Sequence, residues 1–110
     1  MFTTDNLLSQ MRTKVLELYS PVIQLRIETE ADESKRKELI EQRESCRYYL
    51  HELELKDLQE VLAKMKPLEA ELNLAIQSLD DALEDVENTV GIIGSIRRLS
   101  GIMVRLFAIF

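Results

Sequence analysis

Leu8, Met11, Val15, Leu18, Val22 and Leu25 follow one another in alternating steps of three and four, the spacing of a helix packed along another helix. Just before this stripe Thr3 can cap a helix start, with Phe2 stapled onto Leu7. Pro21 falls inside the stripe without changing its phase, and the preserved register favours a kinked helix over a fresh start at Ser20-Pro21. From Glu28 to Glu38 the stripe stops, and Ala31 is the only apolar residue there. A seam that ends implies a partner that ends, so a chain reversal is expected between Thr29 and Ser34. The competing reading is a solvated helix supported by Asp32–Arg36 and Glu33–Lys37 pairs.

Apolar positions resume at Leu39, Cys46, Leu50 and Leu53. A second register, Leu58, Met65, Leu72, Leu79, Val86 and Ile93, repeats every seven residues and runs straight through Pro67, which either kinks the helix or starts a new one. Leu68, Ala75 and Ala82 on one side, and Ile76, Leu83 and Val90 on the other, widen this stripe until it can face two neighbours. Gly91 and Gly94 then loosen the helix before a last amphipathic segment. On a helical wheel Ile92, Ile96, Leu99, Met103, Leu106, Phe107 and Phe110 share one face. Gly94, Arg98, Gly101, Arg105 and Ala108 lie opposite, with Arg97 at their edge.

The expected fold is all-α: an elongated antiparallel helical hairpin or a three-helix coiled-coil bundle that ends in an amphipathic helix. Helices are expected near 4–29, 33–66 and 67–109, with kinks at Pro21, Pro67 and Gly91. Residues 1–110 form one domain, in which 1–90 are acidic coiled-coil helices and 91–110 a basic, apolar closing helix. Composition agrees, since three glycines, two prolines and 5% aromatic residues leave little to punctuate or pack a sheet.

Charge sharpens the division at Gly91. Residues 1–90 hold 11 bases and all 20 acids, whereas residues 91–110 hold three arginines and no acid. The stretch from Pro67 to Val90 has seven acids and no base. A net charge of −6 argues against nucleic acid as a partner, because phosphate contacts need a basic footprint. One cysteine permits no internal disulfide, and the first residues show neither the basic nor the apolar part of a secretory signal, so a cytoplasmic location is expected. Residues 91–110 are long enough to span a bilayer, but each central arginine costs roughly 2.5–3.5 kcal/mol there, which argues against a simple span.

Catalytic chemistry finds little support. Cys46 and the single histidine, His51, are five residues apart and so about 140° apart around a helix. Position 48, three before His51, is Tyr where a di-iron bundle site needs Glu, and the acids from Asp80 to Glu87 lack the glycine turn of a calcium loop. No enzyme activity, cofactor or metal is expected. Of Tyr48 and Tyr49, at most one can face the core.

The closing segment carries the functional expectation, because so apolar a stretch needs cover. The cover can be its own bundle, a second subunit or lipid. The expected function is a non-enzymatic helical interaction or structural module that self-associates or docks a helical protein partner. Ile92, Ile96, Leu99, Met103, Leu106, Phe107 and Phe110 are the expected contacts, and Arg97, Arg98 and Arg105 set register. The alternative is a membrane-active protein, peripheral or pore-forming after assembly, whose arginine-bearing helix lies on a membrane surface.

Overall fold

Residues 4–110 are described by a computed structural model, and every regular element among them is helical. In chain order these are α1 (Thr4–Glu17), α2 (Pro21–Thr29), α3 (Glu33–Glu54), α4 (Leu58–Met65), α5 (Glu69–Glu84) and α6 (Thr89–Ala108). A single 3-10 turn, Lys66–Leu68, joins α4 to α5. The expected cap and staple at Phe2 and Thr3 lie outside the described residues.

Three long helices were expected, and each is interrupted by a capping residue. At Pro21 the chain turns instead of kinking. Ser20 has extended backbone and its hydroxyl accepts from the Ile23 amide (3.4 Å), while Pro21 takes the first helical position, where no N–H is required. The turn shifts the phase: Ile23 and Ile27 point inward in α2, and Val22 and Leu25, which continue the sequence seam, are exposed. Asp57 caps α4 by accepting from the Glu60 amide (3.3 Å). The Asp-x-x-Glu spacing that marks this start is visible in the sequence but is masked by the unbroken seven-residue register. The last break falls at Asp85–Asn88, not at Gly91. Asp80, Asp81 and Glu84 crowd the C-terminal turns of α5, where the helix dipole disfavours acids, and Asn88 restarts the chain by accepting from the Gly91 amide (3.1 Å). Gly91 is no hinge. A Cβ there would come within 2.6 Å of the Asn88 side chain, so the glycine makes room for the cap.

Side-chain pairs fix the helix directions. Arg12–Glu54 (3.1 Å) and Tyr19–Glu44 (2.9 Å) set α1 antiparallel to α3, which places a reversal between them as the stripe's end implies. Ser78–Ser95 (3.1 Å) and Glu71–Arg105 set α5 antiparallel to α6. Cys46 meets the Ile96 carbonyl (3.6 Å) and Tyr49 meets Phe107, so α3 and α6 run parallel, as α1 and α5 do through Thr4–Glu69 and Lys14–Asp80. Each of α1, α3, α6 and α5 packs on the next in that cyclic order, with α6 wedged between α3 and α5. Their shared interior holds Leu7, Met11, Leu39, Leu53, Met65, Leu72, Leu79 and the inner face of α6.

One polar knot ties the α2–α3 turn to the start of α6. The buried Glu30 carboxylate accepts from Thr89 Oγ1 (2.7 Å), from the Arg26 guanidinium and from the Asp32 amide (3.2 Å). These donors, Thr89 foremost, lower its pKa from an ordinary 4.5 to about 2. A depressed carboxylate pKa contributes stability that is present above pH 4.5 and is lost as pH falls toward 2. Glu30→Gln is therefore expected to be less stable than the parent at neutral pH and to lose less on acidification. Urea midpoints at several pH values between 4.5 and 2 would show this; parallel losses in the two proteins would reject it.

Candidate functional site

The closing helix divides its two faces cleanly. Ile92, Ile96, Leu99, Met103 and Leu106 are fully buried, Phe107 packs on the core's edge, and Phe110 is more than a third exposed. Five of the seven apolar residues that the sequence offers to a partner thus fill the protein's own interior. The reason is local geometry: the Asp85–Asn88 break sends α6 back along α5, and small residues let it sit close to both neighbours. Ser95 meets Ser78 on the α5 side, and Cys46 of α3 lies against the Ile96 carbonyl. A membrane receiving this apolar face would first have to open the bundle. Among the described residues no helix is long and apolar enough to cross a membrane.

The arginines stand on the outward face. Arg97 pairs with Glu38 of α3 and Arg105 with Glu71 of α5, the helices on either side of α6. Arg98 has no ion pair among the described residues, and neither have Asp81, Glu84 and Asp85. Arg97, Arg98 and Arg105, with Glu71, Gly101 and Ile102, line a depression of about 510 Å³.

This outward face has a periodicity of its own. Val90, Gly94, Arg97, Gly101, Val104 and Ala108 are all exposed and recur in steps of four and three, a second helix-packing register on the side away from the core. A Cβ added at Gly94 or Gly101 meets nothing within 4 Å. Nothing inside the described fold requires either glycine, although each weakens the helix by about 0.5–1 kcal/mol relative to alanine.

A second concave surface opens between α1 and α3. The groove, about 850 Å³, is floored by the buried Val15 and Leu50 and walled by Leu16, Tyr19, Tyr48 and Tyr49. Tyr48 is exposed and stacks edge-on against Tyr49, which turns its other side to Phe107 (6.1 Å between centroids). Rim charges are matched within the chain, Arg12 with Glu54 and Arg47 with Glu44.

Cys46 and His51 diverge, as their spacing implies. Cys46 is fully buried and desolvation raises its thiol pKa to about 12, so it is a protonated core residue at neutral pH. His51 is exposed on the rim of the α1–α3 groove. Among the described residues no group of three His, Cys, Asp or Glu side chains could hold a metal ion.

Arg43 is among the buried residues that the apolar pattern does not mark. Arg43 occupies a core position of α3, reaching the Leu18 carbonyl (3.3 Å) and the Gln24 side chain (3.0 Å) and lying 4.3 Å over the Tyr19 ring. The signal was present: Leu39, Arg43, Cys46, Leu50 and Leu53 step by four and three, with one charged residue in the run.

Compared with known protein families, with curated proteins and with solved structures, the chain matches none.

Proposed function

We propose that this protein is a non-enzymatic helical interaction module that self-associates or docks a helical partner through the outward face of α6. One observation carries the reading: the exposed four-and-three register of Val90, Gly94, Arg97, Gly101, Val104 and Ala108. A helix that only closes its own bundle needs one apolar face and gains from alanine, lysine or glutamate elsewhere. Here the outer face combines short side chains, which let another backbone come close, with arginines that would fix its register. The inner face anchors the helix and the outer face recognises. Surface of this kind suits binding, because the residues it presents are held on a rigid, well-packed element.

A photo-reactive phenylalanine analogue at Val104, in cells of the protein's own source, tests this. The expected result is an ultraviolet-dependent adduct that Gly101→Leu abolishes, because the larger side chain fills the depression while α6 remains helical by circular dichroism. The same analogue placed at exposed Thr13, on α1 across the bundle from α6, should give no such adduct. Equal labelling at both positions, or none at Val104, would sink the reading.

A further inference from the structure

We infer that the groove between α1 and α3 is a binding site for an uncharged, largely apolar small molecule, aromatic or polycyclic, that carries a hydrogen-bond acceptor. The site stands apart from the outer face of α6, since α3 lies between the two. All three tyrosines of the chain and its single histidine line this one groove. Leu16 and Tyr48 stand exposed on opposite walls, over a floor of buried Val15 and Leu50. The hydroxyls of Tyr48 and Tyr49 and the His51 imidazole have no hydrogen-bond partner among the described residues. An apolar floor with a few free polar groups along its walls is the make-up of a small-molecule site.

Shape and charge select the occupant. Side chains crossing from α1 to α3 close the groove at both ends: Arg12 reaches Glu54 (3.1 Å) at one, and the Tyr19 hydroxyl reaches Glu44 (2.9 Å) at the other. Beyond the Arg12–Glu54 bridge a separate, smaller depression begins, lined by Leu8, Leu53 and Leu58. From Arg12 to Tyr19 is about 10 Å along α1, and from Glu44 to Glu54 about 15 Å along α3. A helix or strand of a partner laid along the groove would override one bridge or both, whereas a molecule of drug size fits between them. The volume, about 850 Å³, lies within the roughly 300–1,000 Å³ usual for such ligands. The groove's two acids and two arginines are already matched, Arg12 with Glu54 and Arg47 with Glu44. An anion would have to take an arginine from its carboxylate, and a cation a carboxylate from its arginine. An uncharged ligand displaces only water from Leu16, Leu50 and the tyrosine rings. A carbonyl oxygen on it would accept from a tyrosine hydroxyl or from His51, and no existing hydrogen bond of those groups has to break.

Fluorescence titration of the full chain with Nile red, an uncharged polycyclic dye that carries a carbonyl, tests the site. Because the chain has three tyrosines and no tryptophan, its tyrosine emission comes from this groove alone. The expected result is one dye per chain, with quenching of the tyrosine emission and a blue shift of the dye's own over the same concentrations. The anionic dye 1-anilinonaphthalene-8-sulfonate should bind at least about tenfold more weakly. Tyr48→Ala removes an exposed wall and Ser45→Phe fills the groove, so each should weaken Nile red binding at least about tenfold. Tyr48 is exposed, and its variant should keep the parent's helicity even if the half-buried Ser45 does not tolerate the larger ring. Gly101→Leu, on the outer face of α6, should leave the affinity within about twofold of the parent's. Failure to bind below about 100 μM, more than one dye per chain, equal affinity for the anionic dye, or indifference to Tyr48→Ala would each overturn the site. None of these outcomes bears on the α6 face, which the Val104 adduct reads separately.

Discussion

Leu99→Ala is expected to cost about 2–5 kcal/mol, enough to consume much or all of the roughly 5–15 kcal/mol that holds a domain of this size folded. Leu99 is fully buried in the middle of α6, where the helix is wedged between α3 and α5. Deleting its isobutyl group loses the transfer free energy and leaves a cavity that three helices cannot all close. Val104→Ala, about one and a half turns further on and 40% exposed, should fall within about 0.5 kcal/mol of the parent. Urea unfolding followed by circular dichroism would give both values, with an unchanged slope indicating that midpoint shifts report stability alone. The pair also separates the two faces of the helix. A cost below about 1 kcal/mol for Leu99→Ala would mean that α6 is not a core element, and the proposed outer docking face would lose its anchor.

That α6 has a buried face was legible from Ile92, Ile96, Leu99, Met103 and Leu106, because a stripe of that width at helical spacing must leave water. What covers it was not legible. A sequence states that an apolar stripe needs a partner, but the stripes of α3 and α5 and a stripe on another molecule satisfy the demand equally. The choice is made by the turns, and the turns were the weakest part of the reading. Heptad counting carried the first helix past Ser20 and the second past Asp57, since apolar residues recur at seam spacing beyond each break even where, as in α2, the inward face has moved to Ile23 and Ile27. In both places a polar cap was present in the chain, and in both it outweighs the continuity of the apolar pattern. The reversal between Thr29 and Ser34 was legible because there the pattern itself disappears. Arg97, Arg98 and Arg105 were recognised as an outward strip, yet their carboxylate neighbours depend on helix order, which periodicity does not encode. The outer register was in plain view and was passed over, because Gly94, Gly101 and Ala108 do not score as hydrophobic. Small residues at seam spacing signal close approach rather than burial.

Arg43→Ala is expected to cost about 2–4 kcal/mol, a value usual for a core leucine and unusual for an arginine. Three functions converge on this side chain. The Leu18 carbonyl belongs to the last turn of the first helical segment, whose final carbonyls have no partner within the helix, and Arg43 Nη1 donates to it. The same Nη1 donates to Gln24 on α2, so one guanidinium spans the Leu18–Ser20 corner from both sides. Its flat face covers Tyr19, whose hydroxyl donates to Glu44 one residue further along α3. Alanine would leave a buried carbonyl unsatisfied, open a void beside Tyr19 and release α2 from α3. Methionine keeps most of the volume and removes the charge, and a buried cation with no ion pair among the described residues carries a desolvation cost of its own. Arg43→Met should therefore fall between the parent and alanine, whereas Arg43→Lys, which keeps the charge but loses the planar fork and the stacking, should be no better than methionine. Chemical unfolding ranks the three. Amide exchange should show protection lost first around Ser20–Ile23, where the cap depends on the corner. If lysine restored the parent's stability, charge alone would be the contribution, and the bracing of the α1–α2 corner by a stacked guanidinium that serves two acceptors would be wrong.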